Sequence, residues 1–150
     1  MPQFQTKHRV AHSADEMFDL VADVEQYPRF VPMCESLKVR QRKTMDDGSE
    51  VLIADMAVGY KLIRETFTSK VTLQRDKWLV LVEYIDGPFH FLENRWTFEP
   101  LGEDACNICF FISYEFKSRT LGALMGAMFD RAFRKFTDAF EARADAVYGT

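Results

Sequence analysis

Cysteine is scarce in this chain, at three in 150 residues: Cys34, Cys106 and Cys109. So small and odd a number gives no disulfide framework. Long apolar runs are missing as well. The longest stretches without a charge, 105–114 and 121–129, reach about 9 to 10 residues, whereas a membrane span needs about 20. The first nine residues hold no apolar segment of the signal-peptide kind, so a cytoplasmic protein is expected, with at most peripheral contact at the inner membrane. There is no excess of positive charge. The formal net charge of −4 argues against nonspecific nucleic-acid binding and against a DNA partner. No internal repeat, linker or low-complexity stretch interrupts the chain, which predicts one domain over 1–150, large enough to bury a real core.

Phenylalanine, by contrast, is abundant, with 14 in the chain. Large rings fill either a core or the wall of a cavity, and burying each is worth roughly 1.5–3 kcal/mol. Many of them fall on the carboxy-terminal third, where Leu121, Met125, Met128, Phe129, Ala132, Phe133, Phe136, Phe140 and Val147 recur in steps that keep them mostly on one side of an α-helix. A helix of about 29 residues would be roughly 43 Å long. That suits a rod lying across a broad sheet and gripped by it, with an apolar gap between the two.

The rest of the chain reads as sheet. Residues 3–12 begin a strand with Phe4, Thr6, His8 and Val10 on one face. Ser13 and Glu16 have capping-box spacing, which predicts a short helix with Met17, Phe18 and Val21 facing inward. Asp23 to Gln26 repeats the signal, and Tyr27-Pro28 stops that second helix. Phe30 then lies on a stiff bend between Pro28 and Pro32. Strands follow around 37–42, 51–58, 62–73, 78–85, 90–99 and 106–116, separated by a hairpin turn at Asp46-Asp47-Gly48-Ser49 and by turn signals at Gly59-Tyr60, Asp76-Lys77, Gly87-Pro88 and Pro100-Leu101-Gly102. The order predicts an α+β fold: a curved antiparallel sheet of about seven strands wrapped on a long carboxy-terminal helix, with two short helices after the first strand.

Several constellations have a chemical and a plain reading. Cys106 and Cys109 spell C-x-x-C but head an apolar strand, where positions three apart face opposite ways, so no metal site is expected. His8, His12 and His90 accompany no nucleophile motif, and no catalytic triad is expected. Glu65 interrupts the apolar face Ile63, Phe67, Ser69, Val71, Leu73. Asn94 interrupts the face His90, Leu92, Trp96, Phe98. Each needs either a protein partner, a solvated strand end, or a wet or ligand-filled cavity. The candidate cavity wall takes Glu65, Phe67, Tyr84, Phe91, Asn94, Trp96, Phe110 and Tyr114 from the sheet. The helix contributes Met125, Phe129, Phe133 and Phe136, and the bend contributes Phe30. Lys38, Arg40 and Arg42, with Lys43 beside them, form a basic strand face, either simply solvated or a surface for anionic lipid heads or ribosomal RNA. Gly122 and Gly126 either permit close approach to the sheet or leave room at a cavity mouth.

The run from Ser13-Ala14-Asp15-Glu16-Met17-Phe18 to Tyr27-Pro28-Arg29-Phe30-Val31-Pro32 resembles the START-like (Bet v-type) coenzyme Q-binding family. That family lies within the polyketide cyclase/lipid transport superfamily and also contains the ribosome-association toxin RatA. Gly87-Pro88-Phe89, Leu92 and Trp96-Thr97-Phe98 are similar to its second signature. Ala132-Phe133, Phe136, Ala139-Phe140, Arg143-Ala144 and Tyr148-Gly149 are similar to its terminal helix. His90 and Met33 depart from the pattern, which favours a basic residue and an aromatic there. The resemblance implies a helix-grip fold with a hydrophobic tunnel. It implies noncatalytic binding of ubiquinone or a related polyprenyl lipid, without a catalytic cofactor, in support of cellular respiration as carrier or chaperone. It also implies two alternatives. One is a toxin that binds the large ribosomal subunit and blocks subunit association. The other is a polyketide cyclase or dehydratase using Glu65 or His90.

Overall fold

The computed structural model describes residues 3–60 and 62–149; Met1, Pro2, Lys61 and Thr150 lie outside the described residues. Alternating polar and apolar side chains make strand β1 (Gln3–Val10), with Phe4, Thr6 and His8 half-buried and Val10 fully buried. Helix α1 (Ala14–Ala22) starts on the expected capping box, in which the Ser13 hydroxyl accepts from the Glu16 amide at 3.1 Å and the Glu16 carboxylate accepts from the Ser13 amide at 3.3 Å. The second short helix differs from expectation. Val24–Arg29 is a 3-10 helix with Pro28 inside it, and the Asp23 side chain does not cap it. Tyr27, buried beneath it, donates its hydroxyl to the Val21 carbonyl at 2.5 Å, and burial pushes the Tyr27 pKa far up.

Six strands then run as a meander: β2 (Cys34–Thr44), β3 (Glu50–Tyr60), β4 (Ile63–Gln74), β5 (Leu79–Asp86), β6 (Phe89–Pro100) and β7 (Cys106–Phe116). The strand β1 closes onto β7, giving one antiparallel sheet in the order β1-β7-β6-β5-β4-β3-β2. The 46–49 turn is as expected, with Gly48 at φ 89° and the Asp47 carboxylate accepting from the Ser49 amide and hydroxyl. β3 runs through Gly59 to Tyr60, which pairs with Ile63, so the reversal falls just after the expected position. Trp78 does not begin β5; it adopts the left-handed conformation at φ 51° that ends the 75–77 turn.

Helix α2 (Arg119–Tyr148) spans 30 residues, and the Ser118 hydroxyl caps it by accepting from the Leu121 amide. Its stripe buries Met125, Phe129, Ala132, Phe133, Phe140 and Ala144, while Val147, expected on the stripe, is 50% exposed in the last turn. Asp130 and Arg134 pair at 3.0 Å on the solvated side, as their spacing predicts. The helix rests on β7, β1 and α1. Two ties fix its distal half to the start of the chain: His8 Nε2 lies 2.9 Å from Glu141 Oε1, and His12 Nε2 lies 2.6 Å from Asp145 Oδ1. The β2–β4 half of the curved sheet therefore faces the helix across a gap. This is the helix-grip arrangement that the resemblance implies.

Bulges interrupt β2, β5 and β6, and those in β2 and β6 redirect candidate residues. In β2 the pairing passes from Val39↔Ala54 to Gln41↔Ile53, which leaves Arg40 as the extra residue. One inserted residue flips every side chain beyond it. Arg42 consequently sits opposite the buried Leu52 rather than beside Lys38 and Arg40, and it pairs with Glu50 at 2.5 Å and Glu25 at 3.1 Å. Arg40 pairs with Asp55 at 2.6 Å. The single basic face expected from Lys38, Arg40, Arg42 and Lys43 is thus broken up. In β6 the extra residue is His90, which is exposed. Phe89 takes the core position at 1% exposure, stacked 4.7 Å from Phe116. Phe91, expected on the inner wall, pairs instead with the exposed Glu115 on the outer face.

Candidate ligand cavity

The gap between sheet and helix is not filled. An apolar cavity of about 110 Å³ lies there. Its floor is the inner face of β3–β6, including Ala54, Met56, Phe67, Ser69, Val71, Val82, Asn94 and Trp96; its roof is Phe129, Ala132, Phe133, Phe136 and Phe140 of α2. The bend before β2 closes one side with Val31, Pro32 and Met33. Pro32, Met33, Leu37, Met56 and Phe136 are each half-buried and mark where the cavity approaches solvent. Met33 holds a left-handed φ of 68°, and its carbonyl accepts from the Gly59 amide at 3.0 Å, which fastens this rim to β3.

Six of the candidate residues come together here: Phe67, Asn94, Trp96, Phe129, Phe133 and Phe136. The others sit elsewhere, for identifiable reasons. Phe110 and Tyr114 lie behind the wall as buried packing rings, with Phe110 at 4.6 Å from Trp96 and Tyr114 at 5.6 Å from Phe133. Met125 is fully buried nearer the helix start. Phe30 packs edge-on to Phe140 at 4.9 Å, with the Arg143 guanidinium 5.4 Å from its ring centre. Tyr84 accepts from the Phe89 amide at 3.1 Å. Glu65 has inward parity but is half-buried near the end of β4, opposite Val58, outside the lining.

Among the described residues no charged side chain lines the cavity. Its polar side chains are almost all engaged. Asn94 Nδ2 donates to the Phe111 carbonyl at 2.9 Å, and Asn94 Oδ1 accepts from Trp96 Nε1 at 3.0 Å. The Asn94 interruption therefore has its partners within the protein. The Tyr27 hydroxyl is spent on Val21. The Cys34 thiol leans on the Ser36 carbonyl at 3.8 Å, and burial pushes its pKa up to about 11. Ser69 is the exception: it is 4% exposed, and its Oγ has no hydrogen-bond partner among the described residues. Leaving such a hydroxyl unpaired costs about 1–3 kcal/mol. The sequence put Ser69 on the inner face, but serine is too common in strands to stand out. Only the absence of a partner singles it out.

Metal chemistry has little to work with here. Cys106 is fully buried and Cys109 half-buried on the opposite side of β7. Among the described residues His8, Asp138 and Glu141 bring ligand atoms within 4.8 Å of one another, but His8 already pairs with Glu141 in the tie that holds β1 to α2.

The family described as polyketide cyclase/dehydrase and lipid transport matches residues 10–141. The ribosome association toxin RatA of Escherichia coli K12 is 32% identical over 99% of this chain and 90% of its own length. The mitochondrial coenzyme Q-binding protein COQ10 of Drosophila melanogaster is 36% identical over 91% of this chain and 59% of that protein. The solution structure of the 18 kDa protein CC1736 from Caulobacter crescentus is 34% identical, with a TM-score of 0.81 over the full length of both chains.

Proposed function

The chain belongs to the polyketide cyclase/dehydrase and lipid transport family, and from that premise we propose that it binds a hydrophobic, ring-headed ligand of the ubiquinone type without transforming it. The observation that carries this reading is the apolar cavity under α2, lined by aromatic rings and free of charged groups among the described residues. Acid–base catalysis needs a titratable group within hydrogen-bond reach of the reacting atoms. Glu65 and His90, the two candidates for a cyclase, are absent from the lining. A cavity of about 110 Å³ compares with the ~150 Å³ dry cavity that accepts benzene, and it is well under the roughly 300–1,000 Å³ of sites that enclose larger ligands. It has the scale of a single ring, and a ring bearing substituents would need the half-buried rim at Met33, Leu37, Met56 and Phe136 to give way. A polyprenyl tail would leave past Pro32, Met33 and Leu37 toward a membrane, which fits a carrier or chaperone role in respiration. Denaturing solvent extraction of purified protein followed by mass spectrometry is expected to release a quinone. Recovery of no lipid, together with no binding of added quinone, would remove the reading.

A second reading has one specific support: the RatA relative matches along 90% of its own length, whereas COQ10 matches along 59%. On this reading the chain associates with the large ribosomal subunit and hinders subunit joining. Lys38 and Lys43 on the outer face of β2 would be contacts, since Arg40 and Arg42 are occupied by Asp55, Glu25 and Glu50. Sucrose-gradient profiles after overexpression separate the readings: a loss of joined ribosomes supports it, and an unchanged profile rejects it.

A further inference from the structure

We infer that Ser69 is the polar anchor of the cavity, donating its hydroxyl to a carbonyl oxygen on the ring of the guest and so selecting oxygen-bearing rings over pure hydrocarbons. The inference rests on the ligand-binding reading above and deepens it. Ser69 lies in the middle of the floor, paired with Ala54 on one side and Tyr84 on the other. Ala54 brings no polar side-chain atom. The Tyr84 hydroxyl accepts from the Phe89 amide and makes no bond to Ser69, whose Oγ has no partner among the described residues.

The local backbone supports the same assignment. The β4–β5 pairing slips between Thr68 and Ser69, from Thr68↔Asp86 to Ser69↔Tyr84, so that Ile85 bulges outward and is 50% exposed. Bulges of this kind re-aim side chains beside binding sites. A water would need two to four polar partners to settle in place of a guest. The other polar side chains of the wall, Asn94, Tyr27 and Cys34, already have bonds of their own. What remains is one unpartnered donor in the lining of an apolar space, and its complement is an apolar ring with an acceptor.

Duroquinone and durene test this directly. They share the ring and its four methyl groups and differ in the carbonyl oxygens, and full substitution keeps the quinone from adding to the Cys34 thiol. Both are titrated calorimetrically against the wild type, Ser69→Ala and Ser69→Thr. Wild type is expected to prefer duroquinone. Ser69→Ala should weaken duroquinone binding roughly three- to tenfold while leaving durene unchanged or slightly tighter, and Ser69→Thr, which keeps the hydroxyl, should restore the preference. Melting temperatures of the unliganded variants add a second readout: Ser69→Ala should melt at or above wild type, because it removes an unpaired buried hydroxyl. Equal effects on both probes, or an unchanged preference in Ser69→Ala, overturn the anchor and leave the cavity reading standing. Failure of both probes to bind wild type overturns the cavity reading, and the anchor falls with it.

Discussion

Gly87 shows how much of the cavity's shape hangs on a single residue. Its φ is 145°, a region that side-chain-bearing residues rarely adopt, and an added Cβ would lie 2.6 Å from the Cβ of Phe67. Phe67 is a lining ring held at 5.5 Å, edge-on, by Phe89. A Gly87→Ala chain must strain the turn or push Phe67 inward. Strain of this type costs about 1–3 kcal/mol, or roughly 2–4 °C of melting temperature per kcal/mol for a chain of this size. The expected result is a lower melting point together with weaker binding of any ring-shaped guest. A variant that melts early but binds normally would show that Phe67 yields away from the cavity. Gly59 illustrates a different constraint. Its hypothetical Cβ meets the side chains of Glu35 and Arg64, which pair at 2.9 Å across it, so glycine there makes room for an ion pair. The sequence marked both positions as turns and gave no sign of either contact.

Among the elements, α2 was the most legible because its period is long and repeated, and because Phe at 129, 133, 136 and 140 leaves little choice of face. Its two early glycines are now distinguishable. A Cβ on Gly122 would touch Phe116 at an ordinary 3.7 Å, and one on Gly126 would meet nothing within 4 Å among the described residues. Neither glycine is needed for close approach to the sheet. Glycine inside a helix costs about 1 kcal/mol relative to alanine. Gly126→Ala is therefore expected to raise the melting temperature by roughly 2–4 °C, and a decrease on thermal denaturation would contradict the open space beside it. The α1 capping box was legible for a related reason, since it is a local motif in which spacing and chemistry coincide. The inner face of β4 was legible because its register against β3 is unbroken. The strands β2 and β6 were not, because a bulge changes the face by one residue without changing composition. In β2 the clue was Gln41 interrupting the face of Leu37 and Val39; in β6 it was a second Phe, Phe89, directly after Gly87-Pro88. Those two slips account for the misplaced Arg42 and for His90 giving up the expected inner position to Phe89; Phe91 was already opposite in parity to Leu92 and Asn94. Ser69 escaped notice for a separate reason: an unsatisfied hydroxyl is a property of its surroundings in three dimensions.

At the scale of the whole molecule the cavity makes ligand binding, stability and thiol chemistry parts of one equilibrium. Cys34 lines the cavity and is 8% exposed, and burial raises its pKa to about 11. At pH 8 roughly one such thiol in a thousand is ionised, so alkylation by N-ethylmaleimide is slow and should quicken about tenfold per pH unit while the pH stays below that value. A guest changes this by occupying the space through which the reagent must pass, not by changing the solvent pH. Duroquinone at a hundred times its dissociation constant would stabilise the folded chain by about 2.7 kcal/mol, or roughly 5–10 °C, and should suppress labelling of Cys34 by the fraction of sites filled. Cys106 supplies the internal control. Its pKa is also raised to about 11 by burial, but it lies outside the cavity lining, so its labelling follows global unfolding alone. With the half-buried Cys109 changed to serine, peptide mass spectrometry reads the two thiols separately. A guest in the cavity lowers the fraction of empty sites and the unfolded fraction by the same factor, so labelling of Cys34 and of Cys106 should slow in parallel as ligand is added. Slower labelling of Cys106 with that of Cys34 unchanged would mean that the ligand stabilises the fold from another site, and the direct occupancy argument would fail.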